Sequence, residues 1–341
     1  MAYTTVNKSS LFMNPKLYTG NGAASHAITG VGFQPDWVWL KNRSGADNNS
    51  LNDVVRGANK NLVSNNANAE ATTTDQLMSF NSDGFTVGAS GSANTNGNNF
   101  VSWNWKANGS GSANTNGSIN STVSVNTTSG FSIVKWTGTG SNATIGHGLT
   151  VAPAMIIVKE LGTANDWVVY HKSLGGGKYI YLNQTTGEAS ASTVWQNYDP
   201  TSSVFYTGTS GLVSQSEPYI AYCFAEKTGY SKMGLYTGNG NNDGAFIYLG
   251  FKPAFLMIKR SDQDQPWLLF DNKRSTNVNQ SKLFPNTNGA ENNDTSNGID
   301  FLSNGFKLRR NNGESNETGN YIYMAFGQTL VGTNNVPNNA R

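Results

Sequence analysis

Three stretches of this chain carry the same landmarks at the same spacings, and that repetition limits the possible folds more than any other feature. The first reads Tyr18-Thr-Gly20-Asn-Gly22, then Gly32-Phe33-Gln-Pro35-Asp-Trp-Val-Trp-Leu40-Lys41. The second reads Trp136-Thr-Gly138-Thr-Gly140, then Gly148-Leu149 and Pro153-Ala-Met-Ile-Ile-Val158-Lys159. The third reads Tyr236-Thr-Gly238-Asn-Gly240, then Gly250-Phe251-Lys-Pro253-Ala-Phe-Leu-Met-Ile258-Lys259. Turn glycine and proline keep one separation throughout (Gly20 to Pro35, Gly138 to Pro153, Gly238 to Pro253), and so do proline and lysine. Each stretch also closes alike, on Phe100-Val-Ser-Trp-Asn-Trp105, Tyr219-Ile-Ala-Tyr-Cys-Phe224 and Tyr321-Ile-Tyr-Met-Ala-Phe326. Phe85, Phe205 and Phe306 precede those closing runs at matching distances, to within a single position. Internal repetition therefore comes before any other reading.

The repeats divide the chain into an N-terminal arm (1–16), a first unit (17–108), a linker (109–121), a second unit (122–228), a third unit (229–329) and a tail (330–341). Units of that length are long enough to bury cores of their own. No segment shows a sustained helical period. Short apolar runs separated by Gly/Asn turns read as strands. In Phe100–Trp105 the alternation places Val101, Trp103 and Trp105 on one face. The proline-to-lysine run is apolar at nearly every position and reads as a central, fully buried strand. The expected fold is all-β: three tandem antiparallel β-sandwich domains of lectin or jelly-roll type. They are arranged either as a rod or as a compact trefoil.

Composition agrees with many short strands. Charged residues make up 13% of the chain, about half the roughly 25% of an average domain, while aromatics reach 11% and fall at regular places. The net charge is +2, and its densest basic run, Lys307-Leu-Arg309-Arg310, reads as a solvated strand end rather than a nucleic-acid groove. No apolar run approaches the ~20 residues of a membrane span. The start, Met1-Ala-Tyr-Thr-Thr-Val-Asn-Lys, lacks the apolar core of a signal peptide, so synthesis in the cytoplasm is expected. The lone Cys223 reads as a small buried hydrophobe.

In the arm, Leu11-Phe12-Met13 is an apolar tag that packs on the protein's own body or on a neighbour, with Pro15 halting it before the first strand. Residues 109–121 read as a flexible Gly/Ser/Asn linker. Their Gly-Ser-Ala-Asn-Thr-Asn-Gly segment at 111–117 duplicates residues 91–97. Asn49 stands at the offset from its proline where the siblings have Trp167 and Trp267.

The sequence offers little catalytic chemistry. Three histidines are present, His26, His147 and His171, with no Gly-x-Ser-x-Gly elbow to accompany them. Gly20-Asn-Gly22 and Gly238-Asn-Gly240 resemble half of a phosphate-binding fingerprint but open no helix, so they read as turns. Asp262-Gln-Asp264 and Asn292-Asn-Asp294 carry oxygens of the sort calcium takes, and read as hydrated loops. Trp195, Tyr198, Tyr206 and Tyr170 lie in or beside loops of the second unit. Aromatic faces there would stack on sugar rings if they are exposed. No catalytic, cofactor-binding or metal residue is assigned, and no cofactor is expected.

The repeated sentence, together with Gly146-His-Gly-Leu149, Tyr219–Lys227 and Asp300-Phe-Leu-Ser-Asn-Gly-Phe-Lys-Leu-Arg309, resembles virion structural proteins of marine tailed bacteriophages, which infect cyanobacteria and abundant ocean bacteria. The resemblance covers residues 1 to 329. It implies a non-enzymatic virion component built from tandem lectin-like β-sandwich modules. The expected role is a tail or head fibre, an adhesin in contact with a host-surface glycan or protein. The alternatives are a capsid decoration protein and a glycan depolymerase. Expected partners are other virion proteins of capsid or tail, with no nucleic acid and no membrane insertion, and self-association compatible with the pattern.

Overall fold

The turn glycines explain the spacing that the three stretches share. A Cβ on Gly20, Gly138 or Gly238 would stand 2.2 Å from a carbonyl oxygen, of Thr95, Gln215 and Glu317 respectively. The next glycine in each motif, Gly22, Gly140 or Gly240, has φ between +64° and +73°, a region other residues rarely adopt. The aromatic residue ahead of each turn lies in the same three-ring cluster each time. Tyr18 stacks on Phe100, Trp136 on Tyr219 and Tyr236 on Tyr321, at 5.0–5.3 Å. Each also meets Phe85, Phe205 or Phe306 edge to face.

The computed structural model describes residues 4–275 and 281–328. Residues 1–3 of the arm and the tail at 330–341, with Pro337, lie outside the described residues. The chain is all-β with antiparallel pairing, as expected. The first span holds β1 (Met13–Thr19), β2 (His26–Thr29), β3 (Trp37–Asn42), β4 (Ser50–Asp53), β5 (Lys60–Val63), β6 (Ala71–Thr72), β7 (Leu77–Asn81), β8 (Gly84–Val87), helical turn α1 (Gly91–Asn94) and β9 (Asn99–Trp105). The second holds β10 (Ser112–Asn114), β11 (Ser121–Asn126), β12 (Phe131–Thr137), β13 (Ala143–Gly146), β14 (Met155–Glu160), β15 (Val168–His171), β16 (Lys178–Tyr181), β17 (Ala189–Ser190), α2 (Ser192–Trp195), β18 (Val204–Thr207), α3 (Gly211–Ser214) and β19 (Pro218–Phe224). The third holds β20 (Ser231–Gly238), β21 (Phe246–Tyr248), β22 (Pro253–Arg260), β23 (Leu268–Asp271), β24 (Ile299–Leu302), β25 (Gly305–Leu308) and β26 (Gly319–Gly327).

Each span forms a larger and a smaller sheet. The larger sheets contain the orders β1-β9-β3-β4, β12-β19-β14-β15 and β20-β26-β22-β23. The smaller are β2-β8-β7, β13-β18 and β21-β25-β24. The proline-to-lysine strands β3, β14 and β22 are interior and buried at every position. Their two faces serve different cores. Val38 and Leu40, Ile156 and Val158, Leu256 and Ile258 face the smaller sheet of their own span. Trp37 and Trp39, Met155 and Ile157, Phe255 and Met257 face one shared core, to which all three larger sheets contribute. The closing strands do the same, with Trp103, Trp105, Tyr222, Phe224, Met324 and Phe326 turned into it. The arrangement is the trefoil rather than the rod. Its largest core lies between the sandwiches, not within any one of them.

Three interfaces surround that core, each closed by hydrogen bonds at three matching places. In the first kind, a backbone N–H donates to the carbonyl just past a central strand of the next sandwich: Glu70 to Leu161, Glu188 to Ser261, Glu291 to Arg43. In the second, the side chain at the offset shared by Asn49, Trp167 and Trp267 donates to a carbonyl of a neighbouring sandwich. Trp167 Nε1 reaches Val63 O at 2.9 Å, Trp267 Nε1 reaches Tyr181 O at 2.8 Å, and Asn49 Nδ2 reaches Phe284 O at 3.1 Å. Asn49 thus does the work of the tryptophans it replaces. In the third, the residue at the end of the strand after the central one meets the closing strand of its neighbour. Asp53 accepts from Tyr222 Oη at 2.8 Å, and Asp271 accepts from Trp103 Nε1 at 3.0 Å. At the remaining interface the closing strand carries Met324, which has no strong donor, and the acid is replaced by His171. Its Nδ1 accepts from Ser173 N, so its Nε2 donates to Tyr323 O at 3.2 Å.

Two expectations are corrected. The arm ends sooner than residue 16, because Met13–Thr19 is β1, paired along its whole length with β9. Pro15 sits inside that strand, where its missing N–H faces away from β9, the one place an edge strand tolerates proline. Phe12 packs on the shared core and meets Tyr230 edge to face, while Leu11 is 39% exposed. Residues 109–121 are not a free linker. Ser112–Asn114 forms β10 against β11, and Ser118 exchanges hydrogen bonds with Thr144. The segment identical to 91–97 is a helical turn in one place and a strand in the other.

Candidate functional site

The groups the sequence offered for catalysis are committed to structure. His147 is buried. Its Nδ1 accepts from Leu149 N and its Nε2 reaches Thr201 O, and burial lowers its pKa to about 4. His171 holds an interface and is likewise lowered to about 4, chiefly by burial. His26 Nδ1 meets Asn94 Oδ1 at 2.9 Å, part of a network that clamps the Gly20-Asn-Gly22 turn. Cys223 is buried in β19, and burial pushes its thiol well up.

The oxygen-rich loops are spent as well. Asp262 accepts from Arg260 Nε and from Asn320 N, and Asp264 accepts from Gly187 N. Asn292 and Asp294 close short turns on Asp294 N and Ser296 N, and Asp294 also pairs with Lys282. Among the described residues, no group of three or more His, Cys, Asp or Glu is placed to hold a metal ion. The basic run at the end of β25 is a solvated strand end with partners: Lys307 pairs with Asp243, and Arg309 with Asp300.

The four aromatics singled out in the second unit divide in two. Trp195, on α2, and Tyr170, on β15, are 2% and 3% exposed and meet edge to face inside the core. Tyr198 is 58% exposed, and its ring lies 5.0 Å from that of Tyr206. The loop that presents Tyr198 is held under constraint. Gln196 and Asn197 are the two non-glycine residues with positive φ among those described, a conformation that clusters at functional loops. A Cβ on Gly176 would stand 2.2 Å from Tyr198 O. Asp199 anchors the next position, accepting from Tyr170 Oη at 3.0 Å and Gly176 N at 2.8 Å.

Past Tyr198 the surface opens into a cleft of about 310 Å3, lined by Val151, Pro153, Lys172, Asp199, Pro200 and Glu226. Lys172 and Glu226 pair across it at 2.6 Å. An exposed tyrosine backed by a half-buried one, beside a small cleft of mixed polar and apolar lining, suits a ligand with apolar faces and many hydroxyls, such as a sugar. Tyr198 and Tyr206 were legible in the sequence. Lys172 and Glu226 were not, because they lie far apart along the chain and only the sheet order brings them together.

The chain belongs to the family described as "Domain of unknown function (DUF7483)", which it matches over residues 8–329. No curated protein and no solved structure matches it.

Proposed function

We propose that this member of the DUF7483 family is a non-enzymatic surface protein of a bacteriophage particle, a tail or head fibre component whose second sandwich contacts host-surface glycan. The observation that carries the glycan contact is the exposed Tyr198, its ring against the half-buried Tyr206, next to the Lys172–Asp199–Glu226 cleft. A ring held on a braced loop, as Tyr198 is, loses little freedom when a sugar stacks on it, which favours binding. The particle assignment is supported by the resemblance of the repeated motifs to marine phage virion proteins. A body held by burial and by buried hydrogen bonds, with no disulfide in a chain of one cysteine, also suits a part that persists outside a cell.

The test is binding of the labelled, purified chain to marine host cells and to their extracted surface polysaccharide. Tyr198→Ala with Tyr206→Ala is expected to weaken binding about tenfold, near the loss of one good stacking contact. Release of reducing sugar from that polysaccharide would instead make the protein a depolymerase. Retention on empty shells without cell binding would make it a capsid decoration protein.

A further inference from the structure

We propose that the chain crosslinks itself: Lys282 Nζ and the Asn297 carboxamide join in an amide bond, with loss of ammonia, and Glu314 moves the protons. The proposal is independent of the glycan reading and concerns the third sandwich.

The three side chains come together from separate places. Lys282 lies in an extended stretch beside β23, where Leu283 exchanges backbone hydrogen bonds with Leu269. Asn297 stands just ahead of β24, the edge of the smaller sheet. Glu314 and Ser315 belong to the loop between β25 and β26. Lys282 Nζ donates to Glu314 Oε2 at 2.9 Å and to Ser296 Oγ at 3.1 Å. Asn297 Nδ2 donates to the same two oxygens, Glu314 Oε2 and Ser296 Oγ. The amine that attacks and the nitrogen that leaves are thus held side by side on one carboxylate oxygen. Asn297 Oδ1 accepts from Ser315 Oγ at 2.6 Å. Lys282, Asn297 and Ser315 are buried, and Lys282 Nζ lies 5.6 Å from the centre of the Phe284 ring.

The matching places in the other sandwiches hold different residues. Lys282 bridges to Asn292 as Tyr179 pairs with Ala189 and Asn61 with Ala71. Glu317, Gln215 and Thr95 supply the carbonyls that crowd the turn glycines, and Glu314, Leu212 and Ser92 stand at one offset ahead of them. Tyr179 and Leu212 pack on the core of the second sandwich, and Asn61 and Ser92 are neutral. A buried lysine–carboxylate pair costs more desolvation than any of these and often adds no net stability. Set against a buried carboxamide, the same pair has a chemical use.

The step balances without a co-reactant. Glu314 takes a proton from the Lys282 ammonium, and the freed lone pair attacks Cγ of Asn297. The carbonyl electron pair moves onto Oδ1, where the Ser315 hydroxyl stabilises it. Glu314 passes its proton to Nδ2 and takes another from the newly bonded lysine nitrogen. The bond from Cγ to Nδ2 then breaks, its electron pair leaves with the nitrogen, and the last proton departs with it as ammonium. One ammonium group and one carboxamide become a secondary amide and an ammonium ion, with nothing oxidised or reduced. The product ties the stretch beside the larger sheet to the smaller sheet. It also closes a ring of chain containing Phe284, Thr287 and Glu291, which hold the first sandwich through Asn49 and Arg43.

The test is intact mass spectrometry of the denatured full chain, followed by trypsin. The wild type is expected to be lighter than its sequence by one ammonia, uncut after Lys282, with residues 275–307 recovered as one looped peptide. Lys282→Gln and Asn297→Ala should each keep their full sequence mass. Glu314→Gln retains the side chain's shape but cannot take the proton. It should slow the reaction at least about a hundredfold and so be purified unlinked. Ammonia loss with normal cleavage after Lys282 is the mark of a succinimide at Asn297-Gly298, and overturns the proposal. So does a wild type at full mass, ammonia loss that survives in Lys282→Gln, or a Glu314→Gln chain as fully linked as the wild type. Where a variant fails to fold, the wild-type mass and peptide map decide alone.

Discussion

His171 shows how a single buried residue sets the response of the whole chain to acid. Folded, it is neutral, with its pKa lowered to about 4, and His147 shares that environment. Unfolded, both return to about 6.5. Above that value neither state holds the proton and stability is unaffected. As pH falls from 6.5 towards 4 the unfolded chain binds protons that the folded chain refuses. Stability is lost through that window, by up to roughly 3 kcal/mol for each histidine. The exposed carboxylates Asp83 and Asp243 are held below their ordinary value by backbone N–H groups and by Lys307 respectively, and act only below it. Urea midpoints at pH 7.5, 6 and 5 should therefore fall steadily, and His171→Gln should flatten the slope. A flat profile in the wild type would refute the account.

At the scale of elements, strands from different sandwiches are joined by buried polar contacts that the spacing pattern hid. Asp53-x-x-Arg56 and Asp271-x-x-Arg274 lie at one offset past Pro35 and Pro253, and both acids accept from their own arginine Nε. Only a His171-x-x-Leu174 in the second span breaks the series, which is why a search for threefold identity passes over it. The contact has a measurable signature. Trp103 and Trp39 lie in the same core, with ring centroids 6.1 Å apart. Trp103 Nε1 donates to the buried Asp271, whereas Trp39 Nε1 finds no partner among the described residues. Trp103→Phe should cost about 2 kcal/mol more than Trp39→Phe, the worth of a buried hydrogen bond to a charge, measured by denaturant unfolding. Equal costs would mean the bond contributes nothing net. What the sequence did reveal at this scale was whatever short-range sterics enforce: turn glycines at fixed φ, prolines entering central strands, alternation in Phe100–Trp105. The duplicated Gly-Ser-Ala-Asn-Thr-Asn-Gly marks the limit. Its two copies differ in fold because Asn94 is pinned by the turn at Asn21 and Ala23, while 112–114 lies along β11.

For the molecule as a whole, the unforeseen fact is that the sandwiches share their largest core. Strands apolar at every position announce two buried faces but do not say what covers each, so a rod and a trefoil were equally legible. The exposed Tyr198 and half-buried Tyr206 were legible as residue types, yet Trp195 and Tyr170 had the same credentials and turned inward. Sharing has a thermodynamic outcome. A sandwich cut free would expose Phe131, Ile157, Trp167, Tyr222 and Phe224 to water. Calorimetry should accordingly give one transition with equal calorimetric and van't Hoff enthalpies, and residues 109–228 alone should not fold. Three resolved transitions would show that the sandwiches are independent. The closure of the ring has a further effect on how such a body can be mounted. Ser9 Oγ donates to Gln328 O at 3.2 Å, so the two ends of the described chain meet. A carrier joined through either side of that contact would hold the body at one point, like a fruit on a single stalk. Spliced into a loop of another protein, it would leave that protein's own path almost undisturbed.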